Sequence, residues 1–118
     1  MSEKPSLEWL RSELAQFVAE RDWDQFHNPK NLAMALAAEC GELLEHFQWL
    51  TPERAINLTP DERAEVALEI ADVFLFLLRM ADKLDVDLLE SAARKLAMNR
   101  QKYPVEKAKG RATKYDRL

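Results

Sequence analysis

Leu7, Leu10, Leu14, Phe17 and Val18 recur at steps of three and four, the spacing that gathers apolar side chains on one face of an α-helix. Ser6, just ahead of them, offers a side-chain oxygen to cap the first turn, so a first amphipathic helix is predicted to end near Arg21. The period then breaks. Residues 22–30 set Trp23, Phe26 and His27 among Asp24, Asn28 and Pro29, and Pro29 steers Asn28 away from helical angles, which predicts an aromatic-rich loop able to serve as a ligand platform. From Asn31 to about Leu50 the helical period returns, with Leu32, Leu36, Leu43 and Phe47 on a broad face and Thr51-Pro52 closing it. Thr59-Pro60-Asp61-Glu62 combines a cap, a proline for the first helical position and early acids, predicting a third helix that runs to about Leu84. A fourth spans about Leu88 to Lys102 and stops at Pro104; the basic tail beyond has no apolar period.

The third helix differs from the others. Its interior, Ile70 to Leu78, is almost wholly apolar, which predicts burial on most sides rather than one exposed flank. Four helices with short connections predict an all-α fold, a four-to-five-helix bundle formed by a single domain over residues 1–118. A chain of 118 residues has little interior to share among them. The expected solution is a homo-oligomer, a homodimer or homotetramer, with helices of several subunits in one core.

Composition sharpens this picture. Only two glycines are present, Gly41 and Gly110, fewer than turn-rich sheet proteins or Gly-rich phosphate loops require. A formal charge of −4, from 17 basic and 21 acidic side chains, argues against nucleic acid or an anionic membrane as the main partner. The single cysteine, Cys40, sits in an apolar stretch, where it reads as a small core residue of a reducing compartment. No basic, apolar leader opens the chain and no run approaches a membrane span of about 18 residues, so a cytoplasmic location is expected.

Candidate chemistry lies in four acids. Glu39 and Glu42 stand three apart on the second helix, and Glu69 and Asp72 three apart on the third, so each pair projects from one face. Leu36, Ala38, Cys40 and Leu43 bracket the first pair, and Ile70, Ala71, Val73 and Phe74 enclose Asp72. A carboxylate in such surroundings loses hydration unless a partner compensates it. No lysine or arginine lies within a turn of Glu39 or Glu42 on their helix. A divalent cation between the two pairs would satisfy all four. An all-oxygen set suits Mg²⁺ or Mn²⁺ rather than zinc, and the Glu-x-x-His step of di-iron bundles is missing. Glu45 extends the first row by one more turn, either as a further ligand or as the place where the face meets water.

Carboxylate-held Mg²⁺ is commonly completed by substrate phosphates. Lys95, Asn99 and either Lys102 or Tyr103 form a matching stripe on the fourth helix, followed by Lys107, Lys109 and Arg111 in the tail.

Taken together, Glu20-Arg21-Asp22-Trp23-Asp24-Gln25-Phe26-His27, Glu39-Cys40-Gly41-Glu42-Leu43-Leu44-Glu45-His46-Phe47-Gln48-Trp49, Glu69-Ile70-Ala71-Asp72 and Asn99-Arg100-Gln101-Lys102-Tyr103-Pro104 resemble the MazG-like all-α nucleoside triphosphate pyrophosphohydrolases, most of all their dCTP pyrophosphatase branch. The resemblance covers nearly the whole chain. It implies an oligomeric helical bundle and Mg²⁺-dependent hydrolysis of a nucleoside triphosphate, dCTP or a modified pyrimidine deoxynucleotide, to the monophosphate and pyrophosphate. It further implies that Glu39, Glu42, Glu69 and Asp72 hold the metal, with Glu42 and Glu39 as the catalytic acids and Glu42 as the base. Lys95, Asn99 and Tyr103 would meet the phosphates or sugar, and Trp23, His27 and Trp49 would line the base pocket. The chain departs from the resemblance at Ala38, where many members have an acid, and at Leu14 and Phe76, where animal members of the branch carry a histidine and a tyrosine. Gly41, between the two acids of the first pair, would let another helix approach. The alternative is a non-catalytic oligomeric adaptor whose acids merely solvate helix faces.

Overall fold

The computed structural model describes residues 4–118, which form helices and turns. Six α-helices follow in order: α1 (Leu7–Glu20), α2 (Pro29–Glu45), α3 (Pro52–Ile56), α4 (Pro60–Lys83), α5 (Leu88–Lys102) and α6 (Val105–Ala108), with 3₁₀ turns at Asp24–Phe26 and Tyr115–Arg117. They divide into two compact units, one ending at Asp85 and the other Val86–Leu118.

Capping sets the boundaries. The Ser6, Asn28, Thr51, Thr59 and Asp87 side chains each accept a backbone N–H of the helix they open. Such a cap satisfies one of the first-turn donors that lack an intrahelical partner. Asn28 with Pro29 starts α2 two residues before the predicted Asn31, because a proline in the first turn forfeits no bond. α2 also ends at Glu45 instead of Leu50, and residues 46–49 continue as turns. Thr51-Pro52 therefore opens a short helix, α3, rather than only closing the previous one. Thr59 and Glu62 form a reciprocal capping box, and the Thr59 N–H and Arg54 hold the Glu62 carboxyl down at about 2.

Two helix ends explain how the chain manages with so little glycine. Asp22 after α1 and Asp85 after α4 take left-handed angles, φ 55° and 54°. At Asp22 the cap is complete: its N–H reaches Ala19 O, and that of Trp23 reaches Val18 O. Aspartate tolerates this region better than most non-glycine residues.

In the first unit α2 packs along much of α4, and α1 packs on α4 as well. Val18, Leu32, Val66 and Leu78 are the buried apolar side chains among the described residues there. The apolar run on α4 does not find cover on most sides within the chain: Leu68, Ile70, Phe74 and Leu77 remain exposed. Cys40, expected in a core, is exposed too. A Cβ at Gly41 would meet nothing within 4 Å, so no described helix of the first unit packs against it. In the second unit Tyr103 and Tyr115 pack edge to face at 6.0 Å, with the Lys102 ammonium 4.8 Å from the Tyr115 ring. No described helix is long and apolar enough to cross a membrane.

Candidate active site

The pairing of α2 with α4 brings Glu39 to Glu69 and Asp72, and one carboxylate oxygen of each lies within 4.8 Å of the others. Glu69 and Asp72 meet there because three residues along a helix return to nearly the same face. Asp72 is exposed at the rim, whereas Glu39 and Glu69 are half-buried. Glu39 Oε2 and Glu69 Oε1 are buried without a hydrogen-bond donor among the described residues. The Glu39 carboxyl is pushed up to about 7, first by the Glu69 carboxylate with which it can share a proton, then by burial and by Glu42. Burial is the leading cause that raises Glu69, joined by Glu42 and Asp72. Glu42 is exposed one turn further along α2, outside the closest group but near enough to act on both acids. Glu45 is exposed at the end of α2.

Orphaned buried oxygens and mutually repelling carboxylates are what a hard divalent cation with oxygen ligands corrects. The donor set fits Mg²⁺ or Mn²⁺.

Beside the acids lies a cavity of about 240 Å³, lined by Leu14, Phe17, Val18, Trp23, His27, Asp72, Leu75, Phe76 and Arg79. Asp72 belongs to both the acidic cluster and this cavity. Trp23 packs edge to face on Phe17 at 5.7 Å, so the aromatic loop folds against α1 and leaves an indole on the cavity wall. Two of the three predicted base-pocket residues, Trp23 and His27, therefore share one cavity. Trp49 does not line it: it stands 87% exposed in the turns after α2. Leu14 and Phe76, where the resemblance implies departures, do line it.

Arg79 is the residue that sequence reasoning missed. Only 8% exposed, it donates from Nε to His27 Nδ1 at 3.1 Å and pairs through Nη2 with Asp24, while Nη1 lies 3.6 Å from Asp82. Lys83 also reaches Asp24, at 2.6 Å, and Arg11 reaches Asp82 at 2.5 Å. A signal for it was present in the sequence. Asp72, Leu75, Phe76 and Arg79 fall at steps of three, four and seven, one stripe of α4, and a lone cation ending an apolar run needs a buried purpose.

Lys95, Asn99 and Tyr103 occupy α5 and its C-terminal cap in the second unit; Lys95 is exposed and Asn99 half-buried, with its carbonyl accepting the Tyr103 N–H. Their expected meeting with phosphates rests on the sequence pattern alone.

Comparison with known proteins shows what the chain is similar to. Residues 34–118 match the MazG-like family. The chain is 44% identical to dCTP pyrophosphatase 1 of Mus musculus and 42% to that of Homo sapiens, over 99% of this chain and 70% of each relative. A crystal structure of a pyrophosphatase from Archaeoglobus fulgidus superposes with a TM-score of 0.80 at 35% identity, covering 88% of this chain and 97% of that one. With a family match over most of its length and these relatives, the chain belongs to the MazG-like family and is a nucleoside triphosphate pyrophosphohydrolase.

Proposed function

We propose that this protein hydrolyses dCTP or a modified pyrimidine deoxynucleoside triphosphate to the monophosphate and pyrophosphate, with Mg²⁺, as a housecleaning enzyme of the cytoplasmic nucleotide pool. The observation that carries the reading is the convergence of Glu39, Glu69 and Asp72 with two buried oxygens left without a donor. The names of the curated relatives support the choice of dCTP.

Glu39, Glu42, Glu69 and Asp72 would hold the ion, which when bound supplies Lewis-acid polarisation of the α-phosphate and of water. Trp23 and Phe17 give the base an aromatic wall on the cavity. Glu42, exposed one turn from Glu39, accepts the proton of the attacking water. The water oxygen bonds to the α-phosphorus, the bond from that phosphorus to the oxygen bridging the β-phosphate breaks, and pyrophosphate leaves with the electron pair. Lys95, Asn99 and Tyr103 meet the phosphates or sugar, a role that Lys95→Ala tests through a raised KM.

The exposed apolar face of α4, with Trp49 and Ile56 (82% exposed), supports a homo-oligomer, dimer or tetramer, because a monomer seldom leaves so much large apolar surface in water. Light scattering at several protein concentrations tests the assembly.

Pyrophosphate release from a panel of deoxynucleoside triphosphates, read as kcat/KM, tests the activity. Highest turnover of a cytosine nucleotide is expected, and no turnover of any nucleotide with Mg²⁺ or Mn²⁺ would overturn the reading.

A further inference from the structure

We propose that Arg79 is a positioning residue that fixes His27 as its Nε2–H tautomer, so that the cavity offers the nucleobase a hydrogen-bond donor from His27 rather than a lone pair. This rests on the reading that a nucleobase enters the cavity beside the acidic cluster. A guanidinium has five N–H donors, no acceptor, and keeps its charge at any working pH. Its Nε–H points at His27 Nδ1 across 3.1 Å, so that ring nitrogen must present a lone pair. In a neutral imidazole the proton then belongs to Nε2. A second ring proton would set an Nδ1–H against the Arg79 Nε–H, and burial together with the Arg79 charge already lowers the His27 pKa. The ring therefore stays neutral as well as fixed in tautomer.

Arg79 cannot turn away from this duty. It is buried, its Nη2 is engaged by Asp24, and Asp82 lies on its Nη1 side. Those two acids are themselves held by Lys83 and Arg11. The network thus spends its surrounding charges on orienting one guanidinium, and that guanidinium spends its Nε–H on one imidazole. His27 lines the cavity with Nδ1 taken, and the nitrogen left for a ligand is Nε2. Leu14, Phe17, Val18, Leu75 and Phe76 supply no polar partner, and besides His27 the cavity's polar groups are those of Trp23, Asp72 and Arg79, so a His27 donor is one of few that can discriminate. A ligand that presents a ring carbonyl or ring nitrogen satisfies it, and one that does not leaves a desolvated N–H unpaired.

The test reads the tautomer directly. Long-range ¹H–¹⁵N correlation of the ¹⁵N-labelled full chain reports which ring nitrogen of His27 carries the proton, and the other histidine, His46, is separated by comparison with His27→Leu. Wild type is expected to show a protonated Nε2 and a bare Nδ1 near neutral pH. Arg79→Met is expected to lose that pattern and to raise KM for the best nucleotide roughly tenfold or more, the loss expected for a desolvated hydrogen bond. Its kcat should fall much less. In a His27→Leu background, Arg79→Met should add no more than about twofold in KM, the non-additivity expected of residues acting through one group. Nδ1–H in wild type, an unchanged pattern in Arg79→Met, or additive effects on KM would overturn the proposal. Should Arg79→Met fail to fold, the wild-type tautomer and Arg79→Lys decide: lysine keeps a donor, so the Nε2–H pattern should survive, and its loss with an intact fold would overturn the proposal. Absence of turnover with every nucleotide would sink the proposed function and the base-reading role with it, while the tautomer still reports whether Arg79 fixes His27.

Discussion

Two clusters of acids lie in the first unit, and they are treated in opposite ways. Asp24 and Asp82 are each met by cations, Arg79 and Lys83 at the first and Arg11 and Arg79 at the second. Lys83 and Arg79 accordingly hold the Asp24 carboxyl below its usual range, against an opposing contribution from burial. Glu39, Glu69 and Asp72 converge with no such cation among the described residues, and Glu39 and Glu69 titrate above the usual range. The same side-chain chemistry thus yields a self-neutralised scaffold in one place and a deficit of positive charge in the other. A fold that compensates its acids a few turns away and leaves these uncompensated presents the charge deficit that the proposed cation would fill.

The largest contrast is expected in turnover. Glu69→Gln or Asp72→Asn should lower kcat by about 1,000-fold, since a metal's stabilisation of the transition state is worth several kcal/mol. Asp24→Asn, in the compensated cluster, should keep kcat within about tenfold, acting mainly on KM through Arg79 and His27. Equal losses of kcat at both clusters would erase the distinction.

Next comes the response of stability to pH and Mg²⁺. With Glu39 raised from 4.5 to about 7, the folded state holds a proton that the unfolded chain releases between those values. The resulting stabilisation of metal-free protein is full below about pH 4.5 and is lost as pH rises through about 7. Mg²⁺ competes with that proton, so it should raise Tm more at pH 8 than at pH 5. At a hundred times its Kd it would add about 2.7 kcal/mol. Glu39→Gln should flatten both trends, which differential scanning calorimetry can follow. A melting temperature indifferent to Mg²⁺ would instead favour the adaptor reading, with acids that only solvate helix faces.

Two smaller effects serve as controls outside both clusters. Thr59→Ala removes the capping box of α4 and should cost about 1 kcal/mol, with the Mg²⁺ increment unchanged. Asp22→Gly, at φ 55°, exchanges a left-handed side-chain penalty for the loss of the Gln25 hydrogen bond and should stay within about 0.5 kcal/mol by urea denaturation.

Much of the fold was legible because local rules set it. The start of α4 after Thr59-Pro60 and the whole of α5 agree with their predicted spans, since caps and prolines act on neighbouring residues only. The end of α2 was misjudged by five residues, because Leu50 keeps an apolar rhythm that turns can carry as well as a helix. α3 was missed because Thr51-Pro52 reads equally as an end and as a beginning. Cys40 misled because apolar sequence surroundings imply burial, but a chain this small can cover only part of what it offers.

By itself, then, the sequence determined where most of the helical residues lie, that Glu39 shares a face with Glu42 and Glu69 with Asp72, and that no lysine or arginine stands within a turn of Glu39 or Glu42 on their helix. Helical spacing and hydration are local matters and need no knowledge of neighbours. Only the tertiary structure decided that α2 and α4 set Glu39 against Glu69 and Asp72, that Asp72 also faces the cavity of Trp23 and His27, and that Arg79 reaches back 52 residues to His27. Those depend on which helix faces meet, and that is settled by packing the whole unit, where no short stretch of chain carries the information.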